Sequence, residues 1–464
     1  MRRVRREFKD LKKRLDFKRP LKKATKRADR VLKSIRQTPE VVENWHLRLK
    51  KAHGLSDRYC TVRLPWLGRT VVANLTTAEY GHAAYEMLFA LTIASRLCAK
   101  CYVLQPPSPA NRALFRLQAT RVELIETKPL RALFFKSVYR CVFLFRRFRN
   151  AFKNPDRDVR RATLPYFRRR VVEDVGVARL SDFDRRESEA LAKRLGIPED
   201  ARLVALHVRE AGYKHGRNAE DKGSRRFDST RNAYVESYVP AVDWLVRQGF
   251  LVVRLGDRFM TPVHHQGLID VALSPLRTDA LELYLLSRSE FLLGTESGPY
   301  HVTYLFGTPA LITNATDPIG SYPIRFKDRL VFKRVLDRRT GRFLNIEELL
   351  SDLYYESLRD IGRFEYVDNS PEEILVAARE MVSGLTSRTD LAAQQKAFHD
   401  MALNAALRLR FRVNYVRKWG SHRNFLGRGR VGEQFLKGYP DGLRSASTTN
   451  SKQPSLADPL RHAT

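Results

Sequence analysis

Between Glu290 and Asn314 the sequence runs EFLLGTESGPYHVTYLFGTPALITN. An apolar run stops at glycine, passes Glu296, Ser297 and Gly298, and resumes as a helix-like pattern carrying His301. A turn of that composition leaves backbone N–H groups free at a helix N-terminus, where an anion is favoured. About eighty residues earlier LHVRE ends a buried-strand pattern and places Arg209 one residue past it. A guanidinium there can grip a phosphate in bidentate fashion, so the two segments together predict a diphosphate site. Glu210 follows Arg209 directly. In the first half of the chain His82, preceded by Gly81, stands at a predicted helix start, and its titration range suits a general base. Lys214, Arg254 and Asp257 lie in neighbouring polar loops and are secondary candidates.

Other chemistries lack their signatures. The sequence has no GxGxxG after a strand, no GxxxxGK[ST] and no HExxH. GxSxG is absent too, and GTESG puts its serine one place late for a nucleophile elbow, so Ser297 reads as a phosphate ligand. Four cysteines, at 60, 98, 101 and 141, are too few for a disulfide scaffold in 464 residues and suit a reducing compartment. Cys98 and Cys101 form a lone CxxC, which reads as small buried residues near a helix end rather than a zinc or redox site. His207 alternates into the sheet interior and reads as structural, and Asp257 with Arg258 could be a plain surface pair.

The elements that must position these groups form two α/β segments. From Cys60 to Pro106 the pattern is strand, turn, helix, strand, a βαβ unit with Gly81 and His82 near the helix start. A second unit is expected around 111–125, then a long helical region to about 195. From residue 203 strands and helices alternate regularly, which requires a parallel sheet covered on both faces. Its three polar loops, HVREAGYKHGR, RLGDR and GTESGPYH, fall at strand carboxyl ends, where such sheets bind ligands. SPEEILVAAREMV carries Ser370 and Glu373 as a capping box. The expected organisation is a basic helical extension over 1–38, α/β domains over 39–190 and 191–335, return helices over 336–400, and a basic, largely irregular tail over 401–464. Ser445 to Thr464 has the composition of a disordered segment.

Charge is the outlier: 85 Lys plus Arg against 51 Asp plus Glu, formally +34. Residues 1–37 alone carry 17 basic and 4 acidic residues, and Val4, Phe8, Leu11 and Leu15 share one helical face. Such a helix can lie on an anionic leaflet. A solvated or self-associating helix is the alternative. No continuous apolar h-region follows the basic start, and six basic residues interrupt the apolar segment 130–152, so neither a secretory signal nor a bilayer span is expected. The expected location is cytoplasmic, peripheral at the inner membrane face.

GTESGPYHVTYLFGTPALIT resembles the donor-site signature of two-domain GT-B glycosyltransferases, particularly the heptosyltransferase-like group, in which an acidic residue, Ser/Thr, Gly, two variable residues and His precede an alanine-rich helix and Gly-x-Pro. LHVRE resembles the His-x-Arg element of fucosyltransferase-like GT-B enzymes. The order of motifs, closing with RVGEQFLKGYP, is similar to a family of bacterial glycosyltransferases linked to surface-polysaccharide synthesis, loosely over 70–440 and well over 200–320. The resemblance implies two Rossmann-like domains and a nucleotide-sugar donor held by Arg209, Glu296, Ser297, Gly298 and His301. It implies a lipid-linked or polysaccharide acceptor, with His82 or Glu210 as base. No cofactor or metal is implied, since arginine and helix dipoles can stabilise the departing diphosphate. Thr303 and Tyr304 stand where that group has alanines. Two other classes are open: a non-catalytic basic protein that binds membrane or, less favoured, nucleic acid on a nucleotide-sugar fold, and a sugar-nucleotide hydrolase or epimerase on the same architecture.

Overall fold

A computed structural model describes residues 59–64, 68–75, 80–105, 109–120, 122–124, 134–135, 137, 176–210, 229–386, 392–412 and 428–439. Contacts divide the chain into two units, Met1–Asp57 and Arg58–Thr464, and the described residues all lie in the second. The basic extension, most of segment 130–152 and the chain beyond Tyr439 fall outside them.

The expected βαβ unit is present. Strand β1 (Tyr59–Leu64) turns back antiparallel into β2 (Gly68–Asn74), helix α1 (Tyr80–Arg96) crosses over, and β3 (Lys100–Leu104) returns parallel to β2. Val71, Val72, Ala73, Cys101 and Tyr102 fill the small core between sheet and helix. Burial pushes the Cys101 thiol up to about 12, so it behaves as a small apolar group, while Cys98 is exposed. In place of a second unit near 111–125 the described residues show a 3₁₀ turn, Ala113–Arg116, and a parallel bridge from Cys101 to Leu124. The two-residue strands β4 (Gln118–Ala119) and β5 (Ala178–Arg179) pair and lead to helix α2 (Asp182–Arg194), capped by Ser181. The boundary expected near 190 falls inside α2, which packs on a helix of the large sheet.

That sheet has seven strands, all parallel. In chain order its elements are β6 (Arg202–His207), α3 (Val239–Arg247), β7 (Phe250–Arg254), β8 (Leu268–Asp270), α4 (Asp279–Arg288), β9 (Phe291–Thr295), α5 (Gly298–Phe306), β10 (Ala310–Ala315) and β11 (Arg329–Phe332). The central strands are covered along their whole length: every residue of β9 and β10 is buried, the polar Thr295, Thr313 and Asn314 included. A small antiparallel sheet follows, with β12 (Arg334–Asp337) between β13 (Arg342–Phe343) and β14 (Phe364–Val367); short helices α6 (Ile346–Leu349) and α7 (Asp352–Glu356) lie between β13 and β14. Helix α8 (Pro371–Thr386) starts with the expected capping box: Glu373 N donates to Ser370 Oγ and Ser370 N to the Glu373 carboxylate.

The C-terminal expectation needs correcting. Helix α9 (Ala393–Arg412) runs past residue 401, and β15 (Arg430–Val431) joins the edge of the large sheet beside β11, followed by α10 (Glu433–Lys437). Residues 430–439 therefore pack on the large sheet. Val431, Phe435, Leu436 and Tyr439 are buried, and the Phe435 ring stands edge-on to Phe332 at 4.9 Å. Among the described residues no helix is long and apolar enough to cross a membrane.

Strand order is β15-β11-β10-β9-β6-β7-β8. The chain builds outward from β6 through β7 to β8, then resumes on the other side of β6 with β9, β10 and β11. The direction of winding reverses between β6 and β9, and ligands of doubly wound sheets bind in the crevice at such a reversal.

Candidate functional site

His207 of β6 pairs with Gly294 of β9 across that reversal. A Cβ at Gly294 would stand 2.5 Å from the His207 carbonyl oxygen, so only glycine lets the strands close here. His207 Nδ1 meets Leu255 O at 3.2 Å, and burial, with Arg254 and Arg209 adding to it, pushes its pKa down to about 3. It lies in the sheet interior, where its alternation puts it. Just beyond, Arg209 N donates to Thr295 Oγ1 at 2.9 Å, and its Nε donates to Asn232 Oδ1 at 3.2 Å. Arg209 thus emerges at the carboxyl edge beside the turn Glu296-Ser297-Gly298.

Helix α5 begins at that turn and meets helix α1 from the small sheet. A Cβ on Gly81 would lie 2.7 Å from Gly298 Cα, 3.1 Å from its carbonyl oxygen and 3.0 Å from His301 Cδ2. The two N-termini touch backbone to backbone, which requires glycine at the crossing. Their first turns bring together His82, His301 and Ser297. Ser297 is the N-cap of α5 in extended conformation, yet its hydroxyl makes no capping bond. That oxygen is buried without a hydrogen-bond partner in a residue 7% exposed. Buried hydroxyls normally find partners.

His301 is half-buried, with Tyr85 edge-on at 5.5 Å and Nδ1 lacking a hydrogen-bond partner. Burial, helped by His82 and Arg231 against the opposing pull of Glu296, lowers its pKa to about 4. It is neutral at pH 7 and can donate or accept one hydrogen bond. His82 is partly exposed beside it.

Glu296 has a different partner set from the one a sugar contact needs. Its carboxylate takes Arg359 Nη2 at 2.6 Å and both the amide and hydroxyl of Thr316 at 3.1 Å. Burial would raise its pKa, but Arg359, Arg231 and the Thr316 amide outweigh this and hold it at about 2. It is a fixed anion bracing the turn. Glu210 is committed as well: Arg254 Nη2 donates to it at 2.6 Å and Thr261 N at 2.7 Å. Arg254 is fully buried and also bonds Asp270 at 2.8 Å, so the pair ties the β6, β7 and β8 ends together. These partners suit Glu210 and Arg254 to scaffolding. Asp257 accepts from Phe259 N at 2.8 Å, while Arg258 lies over the Phe259 ring at 5.0 Å. Lys214 falls outside the described residues.

Sequence reasoning missed Arg231 and Arg359. Arg231 acts electrostatically on both Glu296 and His301, so it lies close to both. Arg359 adopts a left-handed φ of 65° at its post on Glu296. Neither sits in a local pattern; only the tertiary fold brings them to the turn. Thr303 and Tyr304 also find their reason here. They receive the buried guanidinium of Arg325, which donates to Thr303 O at 3.0 Å and Thr303 Oγ1 at 2.9 Å and stacks on the Tyr304 ring at 4.6 Å.

The arrangement gathers cationic Arg209 and Arg231, the α5 N-terminus, an unpartnered hydroxyl and two imidazoles at one crevice, which suits an anionic ligand beside a proton acceptor. No protein-family model matches the sequence, and none of the curated proteins does. Among solved structures, a glycosyl transferase family 9 protein from Veillonella parvula DSM 2008 is similar at a TM-score of 0.32 and 14% identity, over 54% of this chain and 81% of that one. A likeness of that size shows neither family nor activity.

Proposed function

We propose that the chain is a GT-B-type glycosyltransferase that moves a sugar from a nucleotide-sugar donor to a hydroxyl of a lipid-linked or polysaccharide acceptor at the cytoplasmic membrane face. The observation that carries this reading is the meeting of α1 and α5 at the winding reversal, which sets His82 beside the helix N-terminus that holds Ser297 and Gly298. One helix supplies a base and the other an anion cradle, the pair of functions that glycosyl transfer from a diphosphate requires.

In this reading the donor diphosphate lies against the α5 amide groups, the Ser297 hydroxyl and Arg209, with Arg231 adding positive charge. His82 accepts the acceptor hydroxyl proton as that oxygen bonds the anomeric carbon. The bond from the anomeric carbon to the phosphate oxygen breaks, and the nucleoside diphosphate leaves with its charge offset by the arginines. Neutral His301 orients a phosphate or sugar hydroxyl. Glu296 braces the turn through Arg359, and Glu210 holds the β6 loop through Arg254. The basic segment 1–37 brings the protein to an anionic leaflet, and liposome flotation with and without it tests that part: equal flotation removes it.

A turnover assay tests the reaction. Nucleoside diphosphate release from a panel of nucleotide sugars should require an acceptor, and His82→Ala should lose turnover by about 100-fold or more while still binding nucleotide. Free sugar released without acceptor would instead make the chain a hydrolase.

A further inference from the structure

A cavity of about 650 Å³ opens beside the crevice, within the roughly 300–1,000 Å³ range of small-molecule sites. Among the described residues its lining carries more carboxylates than cations. Four carboxylates line it, Glu210, Glu236, Glu365 and Asp368, against two cations, Lys333 and Arg338. Lys333 is bound by Asp368 at 2.5 Å and Arg338 by Glu365 at 3.0 Å, so both lining cations among the described residues are already paired. Glu236 is exposed and makes no ion pair among the described residues.

Its rim is apolar. Tyr234 is 74% exposed, Phe259 47% and Ile361 40%, so three of the eight large exposed hydrophobic side chains among the described residues surround one cavity. Exposed aromatic rings gathered at a polar hollow mark a ligand surface. Flat rings at the mouth, the Glu236 carboxylate and the lining hydroxyls match the two sides of a sugar ring: its C–H faces lie on aromatic rings and its hydroxyls donate to oxygen.

We infer that this cavity is a binding site for an uncharged saccharide, with Tyr234 and Phe259 as stacking platforms and Glu236 as hydroxyl acceptor. Asn232 joins it to the crevice, since its side chain takes Arg209 Nε and its carbonyl takes Lys333 Nζ at 2.7 Å while it lines the cavity. The site goes beyond the transferase reading and does not depend on it, because a non-catalytic protein could bind a glycan in the same way.

The test is saturation-transfer-difference NMR on the full chain with N-acetylchitotriose, maltotriose and mannotriose, and with uridine and adenosine as counter-probes. At least one neutral trisaccharide should receive saturation, and Tyr234→Ala and Phe259→Ala should each weaken its binding about tenfold, leaving any nucleotide-induced thermal shift in place. Both side chains are exposed, so folding is not at stake. Absence of transfer to all three trisaccharides, or a nucleoside signal that Tyr234→Ala removes, overturns the assignment. Glycan binding without any nucleotide shift would keep this site and sink the transferase reading.

Discussion

Removing the Ser297 hydroxyl deletes a buried group that makes no hydrogen bond, so Ser297→Ala should leave the denaturation midpoint unchanged or slightly raised. If that oxygen awaits a phosphate, the same change should weaken nucleotide binding about tenfold, near 1.4 kcal/mol, in a titration. A structural serine would show the reverse pattern. Gly81→Ala is the complementary probe. The new methyl meets backbone atoms of Gly298 that cannot rotate away, so a loss of about 1–3 kcal/mol in chemical denaturation is expected, with nucleotide binding falling too. Arg209, Ser297 and Gly298 were visible as candidates because strand ends and helix starts leave local marks. Glu296 was visible only as an acidic residue. Its partner Arg359 is 63 positions away, so no local pattern could separate a brace from a ligand.

Helix α5 is held on its far side by Arg325, whose charge is enclosed by Asp328, Thr303 and the Tyr304 ring. Asp328→Ala would leave a buried guanidinium without its counter-ion and should cost about 3–5 kcal/mol in denaturant unfolding. An apolar replacement of both partners should cost much less. Element identity was legible for the long periodic segments: β2, α1, β3 and everything from β6 to β10 follow the sequence pattern. Strand β15 and helix α10 were not. Their two and five residues are too short to show a period, and they owe their form to packing of Phe435 and Tyr439 against Phe332. The strand order, and with it the reversal at β6 and β9, was also hidden, because alternation of strands and helices does not say on which side of β6 each strand is added.

Across the whole molecule, burial sets how stability responds to acid. His207 and His301 are pushed down from 6.5 to about 3 and about 4, so the unfolded chain binds their protons first and stability falls as pH drops below 6.5. Glu296, held at about 2, adds further loss below 4.5. Burial raises Glu282 from 4.5 to about 7, which works the other way: its contribution is full below 4.5 and is lost as pH rises toward 7. Glu282→Gln should therefore steepen the loss of stability between pH 7 and 5, measured by denaturation at each pH. The formal charge of +34 belongs to the same scale, since it favours polyanions of any kind and makes a nucleotide-specific response the discriminating property. The most direct test is a thermal-shift panel of UDP, GDP, ADP and CMP on the full chain and on Arg209→Ala. The account predicts that one nucleotide raises the midpoint and that Arg209→Ala abolishes the rise. No shift with any of them, together with duplex DNA binding that falls steeply with salt, would contradict it.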